Sequence, residues 1–341
     1  MSEFLIFVII GLTAGAVYAL AGVGLVLTYR TSGVFNFAHG ALATVAAYVF
    51  YTLHITHGWP WPLAALVSVV GIGAVMGVLL EPLARRLRHA GLPLQVASTV
   101  GLLLAVQAVV ALRYPDEVLR QVPPFLPDGQ FELAGAPVQW SSVITLAFAL
   151  VVTAGLSVAL RWTRAGLATR ALVDDDQLLS LNGIHPTVVR RGAWVTGSVL
   201  AAASGVLFAP LLPLNSVQLT LLVVSAFGAA AVGAFKSLPL TFTGGLLVGV
   251  LASLVTRYVT STTFAGLSPS LPFLVLFVVI LLRRRTTAQP AGGSRIARPA
   301  ASWSAPAPVQ FGIAVLALAV LIAVPSFAGI HLIEWTAGLG A

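Results

Sequence analysis

The stretch "VFNFAHG", residues 34–40, lies between two hydrophobic runs, Leu5 to Tyr29 before it and Ala41 to Leu53 after it. Neither run holds a charged side chain. Runs of this kind belong in lipid, where about 20 mostly apolar residues make one helical crossing. The polar and aromatic residues between them therefore mark a break between two membrane segments. Gly33 and Gly40 permit non-helical backbone there. At membrane depth such backbone survives only against protein or a water-filled cavity. Asn36 and His39 have two uses at such a break. They can bond the backbone groups it leaves unpaired, or they can line the path of a solute.

Composition gives the setting. Only 8% of the 341 residues are charged and 58% are hydrophobic, with mean hydropathy +0.99. A soluble domain carries about a quarter charged residues. The expected fold class is all-α, a polytopic membrane protein with about eight to ten transmembrane helices. No cysteine is present, which excludes disulfides and thiolate metal sites. The net charge of +8 comes almost entirely from arginine, because Lys236 is the only lysine. These arginines sit between apolar runs, the pattern of loops beside a membrane and not of a nucleic-acid face. The first run is read as a span and not as a cleavable signal peptide. Glu3 stands where a basic region is needed, and the apolar run is too long.

Spans are expected near 4–28, 38–54, 61–81, 92–112, 140–160, 193–213, 221–236, 239–258 and 269–282, with a further apolar segment over 310–327. The second and seventh are short and read as tilted, broken or re-entrant. With the N-terminus outside, the inner loops hold Arg30; Arg85, Arg86 and Arg88; Arg161, Arg164, Arg170, Arg190 and Arg191; Lys236; and Arg283, Arg284, Arg285, Arg295 and Arg298. That is 15 of the 18 basic residues. Only Arg113, Arg120 and Arg257 fall outside, so the positive-inside rule puts the N-terminus outside. The outer loop 113–139 is Pro-rich, carries Asp116, Glu117, Asp128 and Glu132, and reads as a solvated cap. Residues 286–308 read as a flexible Ala/Pro/Ser linker. Gly11 with Gly15, Gly73 with Gly77, and Gly245 with Gly249 form small-xxx-small pairs of ordinary helix packing.

Several function classes are excluded by what is missing. In "GAFKS" (233–237) two residues separate Gly and Lys, so the chain has no phosphate-cradling P-loop. Of the six histidines, His39 lies near the start of a span and away from an obvious loop. Paired histidines for a membrane haem are lacking, and no Ser/His/Asp set can be assembled within the spans. Glu81 reads as a helix-end residue before Pro82, leaving no mid-membrane carboxylate for a proton-driven carrier.

The inner loop 161–192, "RWTRAGLATRALVDDDQLLSLNGIHPTVVRRG", contains one clear helix. Asp174 or Asp175 can cap its start, Asp176 suits its first-turn dipole, Gly183 fits the position just past its end, and Pro186 follows. The helix near 175–182 has about two turns, too few to be stable alone. It carries Leu178, Leu179 and Leu181, and must pack against its own bundle or dock on a cytoplasmic partner.

The spacing Arg170–Ala171, Asp175, Gly183–Ile184, followed by "WVTGSVLAAASGVLFAP" (194–210), resembles the cytoplasmic coupling loop of ABC-importer permeases, specifically the branched-chain amino acid permease family. "YALAGVGLVLTYRTSGVFNFAHGALATVAAY" (18–48) resembles that family's N-terminal signature, with NFAHG its most specific part. "SAFGAAAVGAFKSLPLTFTGGLLVGVL" (225–251) resembles its Gly-rich late region. The similarity covers residues 4–285 and is closest to the first of two permease subunits. Leu179 stands where the family usually has Ala, and Ala234 and Phe235 interrupt the usual Gly-rich turn before Ser237. Residues 309–341 resemble the start of the sister subunit, an extra transmembrane segment beyond the permease domain of residues 1–285.

The resemblance implies a permease subunit of an ATP-driven importer for branched-chain or related small amino acids, in the bacterial inner membrane. Its partners would be a second permease subunit, two cytoplasmic ATPases and an external binding protein. ATP would be bound by the ATPases, with no cofactor or metal on this chain and no reaction of its own. Coupling is expected at Arg170, Ala171, Asp175, Leu178, Leu181, Gly183 and Ile184. The helix break and translocation path are expected at Tyr18, Asn36, Phe37, His39 and Gly40. A permease of the same family for urea or short amides, or a stand-alone carrier or channel, is the alternative.

Overall fold

The computed structural model describes residues 2–88, 90–114, 120–127, 129–259 and 267–282. The linker 286–308, the segment 309–341 and the arginines at 283–285 lie outside these residues. Helix α1 (Ser2–Ser32) leads through the break to α2 (His39–Tyr51) and a π-helical turn, Thr52–Thr56. Next come α3 (Trp61–Leu66), a π-helical stretch Val67–Ile72 and α4 (Gly73–Leu87), then α5 (Leu92–Arg113). A hairpin, β1 (Gln130–Leu133) and β2 (Ala136–Gln139), precedes α6 (Trp140–Trp162). The rest is α7 (Arg164–Asp174), α8 (Asp176–Leu181), α9 (Pro186–Phe208), α10 (Ser216–Val232), α11 (Leu238–Tyr258) and α12 (Leu267–Leu282).

Among the described residues, five helical segments are long and apolar enough to cross a membrane: Phe4–Ser32, Trp61–Leu87, Leu92–Arg113, Trp140–Trp162 and Leu238–Tyr258. The two spans read as short, α2 and α10, are short in the structure and lie in the middle of the bundle. Most of their residues are buried. Helix α1 packs along α11 and α9. A Cβ on Gly11 would lie 2.6 Å from the Val250 Cα, and one on Gly15 2.8 Å from the Gly245 carbonyl. The small-residue pairs thus set the close α1–α11 crossing. Gly73 and Gly77 do the same for α4 against α9, at Val199 and Val195.

Three boundaries differ from the sequence reading. Helix α9 starts at Pro186, not near 193, because a proline at the first helical position needs no N–H partner. Helix α10 runs over 216–232, not 221–236. Asn215 caps it by accepting from the Val217 and Gln218 amides, and the backbone turns at Gly233. Helix α4 continues through Pro82 to Leu87, which places Glu81 inside a helix and fully buried, not at an end.

The Pro-rich loop 113–139, read as a solvated cap, contains a β-hairpin that the sequence reading did not assign. Gln130 pairs with Gln139 and Leu133 with Ala136. Ala134 and Gly135 both have positive φ, 52° and 77°, as a two-residue hairpin turn requires.

Candidate functional site

The break and the α7–α8 loop meet at one end of the bundle. Arg30 on α1, Arg161 on α6 and Arg170 on α7 line one cavity of about 170 Å³. Arg88 and Arg190 reach α8 at the same end. At the opposite end Arg113 and Arg120 stack over Tyr114, and the Arg120 carbonyl accepts from Leu214. The structure therefore gathers these basic side chains as the span reading requires.

At the break, Gly33 turns the chain with φ +71° and donates its amide to the Tyr29 carbonyl at 2.7 Å. The Ser32 hydroxyl donates to the Thr28 carbonyl and accepts from the Val34 amide. The Thr99 hydroxyl on α5 donates to the Phe35 carbonyl at 3.2 Å. The His39 amide donates to the Asn36 carbonyl as α2 begins. Ser32 and Thr99 thus serve the broken backbone. The side-chain nitrogens of Asn36 and His39 make no hydrogen bond among the described residues. The Ala21 carbonyl approaches the His39 ring without reaching hydrogen-bond geometry. Both residues are nonetheless buried. Asn36 shares a cavity of about 10 Å³ with Trp194, Thr99 and Leu80. His39 sits against Gly24, where a Cβ would lie 3.2 Å from its Cε1. Gly40 is needed because a Cβ there would strike the Thr220 carbonyl.

Aromatic rings close the same region. Phe37 stacks on Phe227 at 4.6 Å, and Tyr29 on Phe35 at 4.4 Å. Phe235 meets Tyr29 and Phe35 edge-on at 5.3 and 5.4 Å. Asn36, Phe37, His39 and Gly40 are therefore brought together. Tyr18 is not among them; it lies near Phe208, ring centres 6.2 Å apart.

The loop 161–192 holds two helices where one was expected. The missed one, α7, begins where Thr163 accepts from the Gly166 amide at 3.1 Å, and it buries Ala168 and Leu172, four residues apart. That (i, i+4) stripe was the available signal. Helix α8 follows, capped by Asp175, which accepts from the Gln177 and Leu178 amides at 2.8 and 3.0 Å. It ends at Gly183, φ +78°, with bonds from Gly183 to Ser180 and from Ile184 to Leu179. Leu179 packs inward, whereas Leu178 is 58% and Leu181 82% exposed. Arg170 donates to the Arg161 carbonyl, and the Ala171 carbonyl accepts from the Asp175 amide.

Asp176 was read only as a helix-dipole residue. Its carboxylate takes Arg88 at 2.5 Å and lies 3.8 Å from Arg190. The bond from Arg88 holds its pKa below the ordinary carboxylate value. Arg190 is buried and donates from Nε to the Thr31 carbonyl at 3.3 Å. Arg191 lies 3.8 Å from buried Glu81. These pairings join residues far apart in sequence, with no local pattern to announce them.

The family model for the branched-chain amino acid transport system permease component matches residues 7–283. The chain belongs to the branched-chain amino acid permease family. Its members include the high-affinity branched-chain amino acid permease protein LivH of Escherichia coli K12. LivH is 29% identical over 285 residues, covering 79% of this chain and 91% of the relative. BraD of Pseudomonas aeruginosa is 28% identical over 253 residues, covering 70% and 82%. A probable LivH of Methanocaldococcus jannaschii is 27% identical over 258 residues, covering 72% and 79%. As a permease of this family the chain is a polytopic membrane protein.

Proposed function

We propose that this permease is one membrane subunit of an ATP-driven importer for branched-chain or related small amino acids. It pairs with a second permease subunit, receives substrate from an external binding protein, and is driven by two ATPases that bind the ATP. It crosses the bacterial inner membrane several times, with its N-terminus facing outward and the end bearing Arg30, Arg88 and Arg161 facing the cytoplasm. The chain itself carries out no reaction. The linker 286–308 joins the permease to a further membrane segment at 309–341.

The observation that carries this reading is α8. A six-residue helix capped at both ends is too short to persist alone. It packs Leu179 inward and leaves Leu178 and Leu181 exposed, an apolar face for a groove on an ATPase. Arg170, Ala171 and Ile184 flank it. Replacing Leu178 and Leu181 with Asp is expected to abolish ATPase co-purification while the permease still inserts. Unchanged co-purification would overturn the docking reading. Topology is tested separately, since the chain has no native cysteine. A cysteine at Ser2 is expected to react with an impermeant thiol reagent from outside only.

A further inference from the structure

We propose that Asp176 and Arg190 form a positioning joint that carries displacement of α8 to the end of α1, and so to the break at 33–38. This rests on the reading of α8 as the ATPase-docking helix. Asp176 is the first residue of α8. Its carboxylate accepts a hydrogen bond from Arg88 past the end of α4 and forms a longer ion pair, at 3.8 Å, with Arg190 in the first turns of α9. Arg190 has a second partner, since its Nε donates to the Thr31 carbonyl. Thr31 is in the last turn of α1, where carbonyls lack intrahelical partners and the helix dipole favours a cation. One buried guanidinium is thus shared between α8 and the end of α1, two residues before Gly33.

Burial makes this sharing mechanical. An arginine cannot shed its proton, and a buried charge that loses its partner is strongly destabilised. If α8 moves with Asp176, Arg190 either follows and releases Thr31, or it stays and faces Arg88 as a like charge. Arg85 and Arg88 already repel it electrostatically, and Glu81 attracts it. Glu81 is fully buried; among the described residues neither of its carboxylate oxygens accepts a hydrogen bond, and its nearest cation, Arg191, stands off at 3.8 Å. It is therefore a standing second acceptor at the junction of α4 and α9. The joint has two arrangements: Arg190 on Asp176 and Thr31, or Arg190 turned toward Glu81. Discrete alternatives of this kind let a small shift at one site be read at another.

The test uses the full permease with its sister subunit, ATPases and binding protein in lipid nanodiscs or vesicles. Asp176→Asn is expected to keep ATPase capture and ATP hydrolysis within about twofold, while substrate moved per ATP falls by about tenfold or more. Asp176→Glu is expected to recover most of that loss, which a residue needed only for folding would not predict. Arg88→Gln removes the partner outside the α1 link and is expected to leave the ratio within about twofold. A wild-type ratio in Asp176→Asn, or an equal loss in Arg88→Gln, overturns the joint. Failure of the unaltered chain to capture ATPase defeats the α8 reading, and the joint with it. Capture with unchanged coupling defeats the joint alone. Should Asp176→Asn fold poorly, an environment-sensitive fluorophore on Arg30→Cys, the sole cysteine, decides instead. Its emission is expected to shift when ATPase and ATP are added, and an unmoved spectrum refutes transmission to the end of α1.

Discussion

Helices α8 and α10 stop through the same pair of backbone bonds but in different residues. At α8 the amides of Gly183 and Ile184 reach back to Ser180 and Leu179. At α10 the amides of Ala234 and Phe235 reach back to Ala231 and Ala230. Both are Schellman ends, which place the residue past the cap in left-handed backbone. At α8 that residue is glycine. At α10 it is Ala234, φ 60°, followed by Phe235 at φ 53°, and each side chain there costs about 1–2 kcal/mol. The glycine of the α10 turn stands one residue earlier. A Cβ on Gly233 would strike the Thr241 hydroxyl and lie 2.7 Å from the Ser237 carbonyl. Packing against α11 thus claims the glycine, and the strain falls on its neighbours. Strained backbone persists only where surroundings over-determine it, and here the surroundings are the rings of Tyr29, Phe35 and Phe227 around Phe235. Among the described residues no such ring cluster surrounds the α8 end, and it uses glycine.

The largest effect that could break this contrast is at Phe235. Phe235→Ala is expected to destabilise the permease by about 2 kcal/mol, somewhat below the range for a fully buried ring. Ile184→Ala, the matching position on α8, is 41% exposed and is expected to cost under about 0.5 kcal/mol. Thermal unfolding in detergent checks both, and equal effects would remove the ring cluster as the reason for the strain.

A smaller and sharper test is one of sign. Ala234→Gly relieves the left-handed strain but adds freedom to the unfolded chain, for a net gain of about 0.5–1 kcal/mol. Gly183→Ala is expected to lose about 1 kcal/mol, although a Cβ there meets open space. Two changes of the same sign would show that the two ends are not the same motif.

The smallest effect concerns pH. Arg88 lowers the Asp176 pKa in the folded protein. Its contribution is therefore present above the unfolded aspartate value of about 3.9 and is lost as pH falls through the lower folded value. The side chain is 31% exposed, so the effect is modest. The stability difference between wild type and Asp176→Asn is expected to start shrinking below about pH 4 and to vanish only below the lower folded value, while the Phe235→Ala difference stays flat. A difference constant through that range would remove the ionic tether at α8.

What could be read in advance follows the range of each signal. The apolar runs, the Gly183 cap and the Asp175 cap are local, and the structure has them. The basic end was legible because charge segregation is summed over many residues. Glu81 misled because Pro82 suggests a helix end, whereas α4 continues past it. Arg190 and Arg191 read as loop residues because charge outweighed the Pro186 start signal. The hairpin hid in a Pro-rich stretch whose alternation is only four residues per strand. The links from Asp176 to Arg88, and from Arg190 to Thr31, depend on how distant helices cross, which no local pattern encodes. The same is true of Thr99, which serves the break from α5.

The burial of α2 has a consequence for how sequences of this kind can drift. Its neighbours approach its backbone directly. A methyl on Gly40 would collide with the Thr220 carbonyl, and one on Gly205 with the Ala43 carbonyl. Neither position can accept a larger residue unless α9 or α10 shifts as well. Single-step variants there are expected to be lost, and change must come in linked sets. Leu104, Val109 and Leu112 on α5 are exposed, so each can exchange among apolar residues independently. A library with every position randomised should therefore tolerate substitutions freely along α5 and hardly at all along the first three turns of α2.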